Sequence, residues 1–109
     1  MQEIEKLQAV EQSIQRVVLQ KQTVQSQIFE IESALEEVKN TENVYKIIGN
    51  IMIKSEKDKL TKELKNEKER LEIKLKSLEK QENNLREKLL SLQKKIANGE
   101  NNGANKSNN

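Results

Sequence analysis

The chain contains no proline, no cysteine, no histidine and no tryptophan, and only three glycines among its 109 residues. Without proline nothing forces a break in a helix. With glycine confined to Gly49, Gly99 and Gly103, two long stretches are free to run as uninterrupted helices. The lack of cysteine removes disulfides and thiolate metal sites, and the lack of histidine removes the commonest acid–base catalyst and metal ligand. Aromatic residues make up 2% of the chain and charged residues 35%, a balance that cannot build a sizeable globular core. Stability must therefore come from helix pairing and assembly. No apolar stretch resembles a signal peptide, and none approaches the roughly 18 residues of a spanning helix, so a cytoplasmic location without membrane contact is expected. Glu and Lys spread over solvated helix faces supply no pocket, no phosphate-binding glycine loop and no nucleophile beside a base, so neither enzyme activity nor a cofactor or metal is expected.

What is present is a short β-rich segment between two heptad arms. In residues 44–54, VYKIIGNIMIK, two runs rich in Val, Ile and Tyr flank a Gly49-Asn50 pair. Such a pair favours a tight hairpin turn, because glycine tolerates positive φ and asparagine tolerates it better than most residues. With those two residues as the loop, Ile48 faces Ile51, Ile47 faces Met52 and Lys46 faces Ile53. Tyr45, Ile47 and Met52 then share one face, and Val44, Ile48, Ile51 and Ile53 the other. A lone hairpin cannot bury both faces and is marginal in water, so it must join strands of other chains or fold onto a neighbour. The assembly residues are accordingly Val44, Tyr45, Ile47, Ile48, Gly49, Asn50, Ile51, Met52 and Ile53.

The arms carry the signature of a coiled coil. In the first, Leu7, Val10, Ile14, Val17, Lys21, Val24, Ile28, Ile31, Leu35 and Val38 step alternately by three and four, with Lys21 the one polar member. In the second, leucine recurs every seventh residue at Leu64, Leu71, Leu78, Leu85 and Leu92, with Lys68, Leu75, Glu82, Leu89 and Ile96 between them. The predicted elements are a helix over 2–40, the hairpin over 43–55 and a helix over 56–97, forming one domain over 1–97. The hairpin brings the arms back antiparallel, pairing roughly Leu35 with Thr61 and Leu7 with Leu89 or Leu90, with a reach of about 60 Å at about 1.5 Å per residue. Charge supports this pairing: residues 1–43 hold eight Glu against four Lys or Arg, and residues 54–97 hold fourteen Lys or Arg against nine acids. Lys21 either specifies register or snorkels to solvent, and Lys68 and Glu82 share that ambiguity. Phe29 and Ile73 fall outside the seams. Residues 98–109, rich in Asn and without an apolar side chain larger than alanine, are expected to form a disordered tail.

The stretch 44–60, VYKIIGNIMIKSEKDKL, followed by LEKQE at 78–82, resembles the β-type subunit of prefoldin, archaeal in character, over about residues 5–97. A single hairpin between the arms is similar to the β type, whereas the family's α type carries two. The resemblance implies an all-α-dominated fold, an antiparallel two-helix coiled coil whose hairpins assemble into an intersubunit β-barrel. It further implies a heterohexamer of two α-type and four β-type subunits. Members are ATP-independent chaperones that capture unfolded proteins at the distal coiled-coil tips and pass them to a group II chaperonin.

For the tips the candidate client-binding residues are Ile4, Leu7, Val10, Leu89, Leu90, Leu92 and Ile96, more apolar groups than one seam can bury. Frayed helix ends would make them available. Leu7, Val10, Leu89, Leu92 and Ile96 can equally be ordinary seam residues, whereas Ile4 and Leu90 lie off the seam and favour contact. Lys94 and Lys95 are candidates for chaperonin contact or for a plain solvated cap at a helix C-terminus. A nucleic-acid partner is not expected, since the net charge is only +2 and aromatics for stacking are scarce. The alternative to a chaperone subunit is a structural coiled-coil adaptor or tether without holdase activity.

Overall fold

A computed structural model of the chain describes the backbone of residues 2–107 and the side chains of residues 2–99; of the expected tail, Asn108 and Asn109 lie outside the described residues. Helix α1 spans Gln2–Lys39, strand β1 Val44–Ile48, strand β2 Ile51–Ser55 and helix α2 Lys57–Ser107. The order helix, hairpin, helix is the one expected from the heptads and the Gly-Asn pair. Helix α2 runs past Ala97, where the loss of apolar residues sets the expected end. No proline stops it, and backbone hydrogen bonding needs no apolar face.

The strands form a two-stranded antiparallel sheet with Val44 opposite Ser55, Lys46 opposite Ile53, Ile47 opposite Met52 and Ile48 opposite Ile51, the register expected from the sequence. Of the two turn residues, Gly49 takes positive φ, at 61°, and Asn50 does not. A positive φ at the first central residue only is the II′ pattern, which needs glycine there and suits the twist of the strands. A Cβ at Gly49 would meet no atom within 4 Å, so the cost of adding one is purely conformational. Gly49→Ala should destabilise the chain by about 1–2 kcal/mol in chemical denaturation, without loss of helical circular dichroism in the native state. An unchanged midpoint would mean that the turn relaxes to another conformer.

The chain divides into two compact units: Met1–Lys21 with Ser77–Asn109, and Gln22–Lys76. In the first, Val10, Ile14 and Leu92 form a buried cluster against which Leu7, Val18, Leu85 and Leu89 pack; Val17 and Leu78 are also buried. Val10 near Leu92, with Lys21 meeting Glu82, makes the helix segments antiparallel. In the second unit Val24, Val38, Val44 and Leu71 are buried, Val24 most completely at 2% exposure. There Glu32 approaches Lys68 at 3.9 Å, and Lys57 Nζ donates to the Lys39 carbonyl at 3.1 Å, again in antiparallel sense. All members of both predicted seams are buried or half-buried, and Phe29 and Ile73 are exposed. A helix pair that closes through alternating three- and four-residue steps needs no larger core.

The end of α1 is closed by side chains. Asn40 Nδ2 donates to the Glu36 carbonyl at 3.3 Å and Thr41 Oγ1 to the Glu37 carbonyl at 2.7 Å, while the Asn40 amide returns to Glu37 at 3.1 Å. With Lys57 on Lys39, carbonyls left open at a helix end find donors. Asp58 in the first turn of α2 complements the positive end of that helix.

Candidate functional site

The hairpin leaves its apolar side chains open. Tyr45, Ile47, Ile48, Ile51, Met52 and Ile53 are all exposed, Ile47 to 68%. Both strands are edge strands, because the sheet has only two, so each presents an unpaired row of backbone donors and acceptors as well. A patch of this kind, apolar on both faces and open on both edges, marks a surface for other chains. Val44 stands apart from the other expected assembly residues. It is 6% exposed and lines a groove of about 700 Å³ with Val38, Leu60 and Leu64, so its side chain is already covered by its own chain.

At the arm ends the expected client-binding residues divide by burial. Ile4 and Leu90 are exposed, Leu90 to 58%; Val10 and Leu92 are buried; Leu7, Leu89 and Ile96 are intermediate. The exposed pair are those whose spacing puts them off the seam. Val10 and Leu92 can meet another molecule only where the two helix segments part. Lys94 and Lys95 are exposed. Leu19 on α1 is a further exposed apolar residue, at 62%. It was not singled out from the sequence, and its position outside the seam was the available signal.

The polar seam residues resolve into partners. Lys21 Nζ lies 2.8 Å from Glu82 Oε1, with side chains 23% and 13% exposed, and Arg86 donates to the other oxygen, Oε2, at 2.7 Å. The bond from Lys21 and then that from Arg86 hold the Glu82 carboxyl below its ordinary value of 4.5. Sequence reasoning marked both residues as seam breaks but did not join them. Counting uniformly from Leu35 opposite Thr61 sets Lys21 opposite Leu75, whereas the contact falls one heptad further along α2. A shift of seven residues leaves every seam position facing its partner helix, so apolar pattern alone does not choose between these alignments. Opposite charges at the two breaks do. Lys68 lies 3.9 Å from both Glu32 and Glu72 at the margin of its seam.

Among the described residues no group of three His, Cys, Asp or Glu side chains could hold a metal ion, and no described helix is long and apolar enough to cross a membrane. Two helices paired through heptad seams, joined by a hairpin that exposes apolar side chains on both faces, define a class: a coiled-coil chain with an unpartnered apolar hairpin between its helices.

The comparisons with known proteins narrow that class. The sequence profile of the prefoldin subunit family matches residues 1–99. The prefoldin subunit beta of Thermococcus onnurineus is 42% identical over 93 residues, 83% of this chain and 80% of its own length. That of Archaeoglobus fulgidus is 38% identical over 98 residues, 87% and 84% of the respective chains. The crystal structure of the prefoldin beta subunit from Thermococcus strain KS-1 superposes with a TM-score of 0.84 at 39% identity, covering 89% of this chain and 88% of that one. The chain therefore belongs to the prefoldin subunit family, with its β-type members as the relatives it resembles. Membership makes it a chaperone subunit that assembles with other prefoldin subunits.

Proposed function

We propose that this chain is a β-type subunit of a cytoplasmic hexamer of two α-type and four β-type chains, which captures unfolded proteins without ATP and passes them to a group II chaperonin. The hairpins close an intersubunit β-barrel. The carrying observation is the exposure of Tyr45, Ile47, Ile48, Ile51, Met52 and Ile53 on a hairpin of a prefoldin-family chain. A barrel of such hairpins pairs their open edges and buries one apolar face of each.

Clients are held at the arm ends. Ile4 and Leu90 offer apolar surface to a chain that has not buried its own, and Leu7 and Ile96 add to it as the ends open. Single contacts of this kind are weak and non-directional, so holding depends on several arms acting on one client. Lys94 and Lys95, exposed near these residues in sequence, suit contact with an acidic surface of the chaperonin.

The test is suppression of a client's aggregation, without nucleotide, by the chain assembled with an α-type subunit. The variant Ile4→Ser, Leu7→Gln, Leu90→Gln, Ile96→Gln should keep the assembly's mass and lose most of the protection. Full protection by a variant of unchanged mass would rule out client binding at these residues. A wild-type assembly that fails to protect any client would favour the adaptor reading.

A further inference from the structure

Just beyond Ile96, the last member of the second seam, α2 carries Asn98 followed by Gly99, and the same pair recurs at Asn102 and Gly103. Neither the assembly reading nor the client reading uses these pairs. An asparagine before a glycine has a chemistry of its own. The main-chain nitrogen of the following residue can attack the asparagine side-chain carbonyl carbon, and glycine, which has no Cβ, shields that nitrogen least. At Asn98 the new bond joins Gly99 N to Cγ. The Cγ–Nδ2 bond breaks, and ammonia leaves with the proton that Gly99 N gives up. The resulting cyclic imide takes up a solvent water. Opening at Cγ yields aspartate, and opening at the main-chain carbonyl yields isoaspartate, in which the chain runs through the former side chain. No group is oxidised or reduced, and water is the only co-reactant.

How firmly the helix holds this turn decides the rate. An intact α-helix engages each amide with the carbonyl four residues back, which keeps the nitrogen from attack. Asn98 and Gly99 are both exposed, and a Cβ at Gly99 would meet no atom within 4 Å, so no packed neighbour reinforces those backbone bonds. A glycine in place of alanine favours opening of a helical turn about fivefold. Asn83 and Asn84 are exposed on the same helix, but the half-buried seam residues Glu82 and Leu85 flank them and neither precedes a glycine. Asn50 lies outside both helices, yet it precedes Ile51, whose branched Cβ covers the nitrogen. Asn98 thus combines an unhindered nitrogen with a turn that little holds shut. We propose that Asn98 is a site of spontaneous deamidation, paced by opening of its helical turn, that lowers the positive charge at this arm end. The new carboxylate stands one helical turn from the exposed Lys94 and Lys95 and offsets one of their two charges. The isoaspartyl product also adds a methylene to the main chain, which throws the helical hydrogen bonds out of register there. This chemistry holds whatever Lys94 and Lys95 contact, so it stands or falls apart from the chaperone reading.

Timed incubation of the complete chain in mildly alkaline buffer tests it, with samples digested and sequenced by tandem mass spectrometry beside a parallel sample unfolded in urea. In the folded chain Asn98 should convert at least about tenfold faster than Asn83 or Asn84, with both aspartyl and isoaspartyl products, because its turn opens more readily than theirs. Its folded rate should fall below its rate in urea, since the helix has to open first. Gly99→Ala should slow the conversion about fivefold or more through the firmer helix alone, with shielding of the nitrogen adding to the effect. Cation-exchange chromatography should separate the converted chains as the less positive fraction. Circular dichroism verifies that wild type and Gly99→Ala are equally folded. An Asn98 no faster than Asn83 and Asn84 in the folded chain, or a wild-type rate in Gly99→Ala, would overturn the proposal. Equal rates at Asn98 with and without urea would overturn its dependence on helix opening.

Discussion

Ile48→Asp should convert the assembled protein to dissociated subunits that keep their helices. Ile48 sits beside the turn opposite Ile51, exposed in the isolated chain, so within a subunit the substitution removes one cross-strand pair and leaves the helix seams untouched. If the proposed barrel turns the face of Ile48, Ile51 and Ile53 inward, the position is buried there, and an isoleucine so placed contributes roughly 1.5–3 kcal/mol. An unpaired carboxylate there costs more than the burial lost. Because the change repeats in every copy, the penalty multiplies across the assembly and a complete loss of oligomer is expected. Native mass spectrometry against wild type, with circular dichroism to verify helix content, checks it. Persistence of the full oligomer would remove the hairpin from the interface.

Lys21→Glu should strike the arm instead. It sets a second carboxylate against Glu82 inside the seam, in place of the 2.8 Å bond that now satisfies it, and the thermal midpoint should fall on the order of 10 °C. Lys21→Glu with Glu82→Lys should recover most of that loss, because it restores opposite charges at one register. A double variant no better than the single would show that position, not pairing, matters. The same contact has a pH signature. Glu82 is held below 4.5 in the folded chain, so the folded state binds this proton less readily than the unfolded state does. The contribution is fully present above 4.5 and is lost as pH falls through the lowered value. Glu82→Gln removes this carboxyl, so its midpoint should change less between pH 7 and pH 3 than the wild-type midpoint does. Equal acid sensitivity in the two proteins would assign the loss to other carboxylates.

Much of the fold was legible because its rules are periodic. Three- and four-residue steps announced both helices, and Gly49 beside Asn50, between runs of β-branched residues, announced the hairpin and its register. The turn's detail was less so: Gly49 supplies all of the positive φ, and Asn50 is left with an ordinary backbone. What the chain did not reveal is what depends on which heptad meets which. Lys21 and Glu82 each broke a seam, but a heptad repeat matches itself after every seven residues, so the apolar steps left their meeting open and only the opposite signs of the two breaks pointed to it. Val44 was hidden for a related reason. Alternation assigns it to an open hairpin face, while burial comes from the helix bases, which lie elsewhere in sequence. At the arm ends spacing separated Ile4 and Leu90 from the seam, and it left Val10 and Leu92 open between seam burial and contact; the packing of the two helices closes them.

The bond from Lys57 to the last carbonyl of α1 has a wider implication. It ties the start of one helix to the end of the other directly, and Asn40 and Thr41 finish the same helix end from within a few residues. The two helices are thus latched at their bases by atoms that lie outside both strands. A change of hairpin side chains that alters what a subunit binds therefore leaves the donor and the acceptor of this base contact untouched.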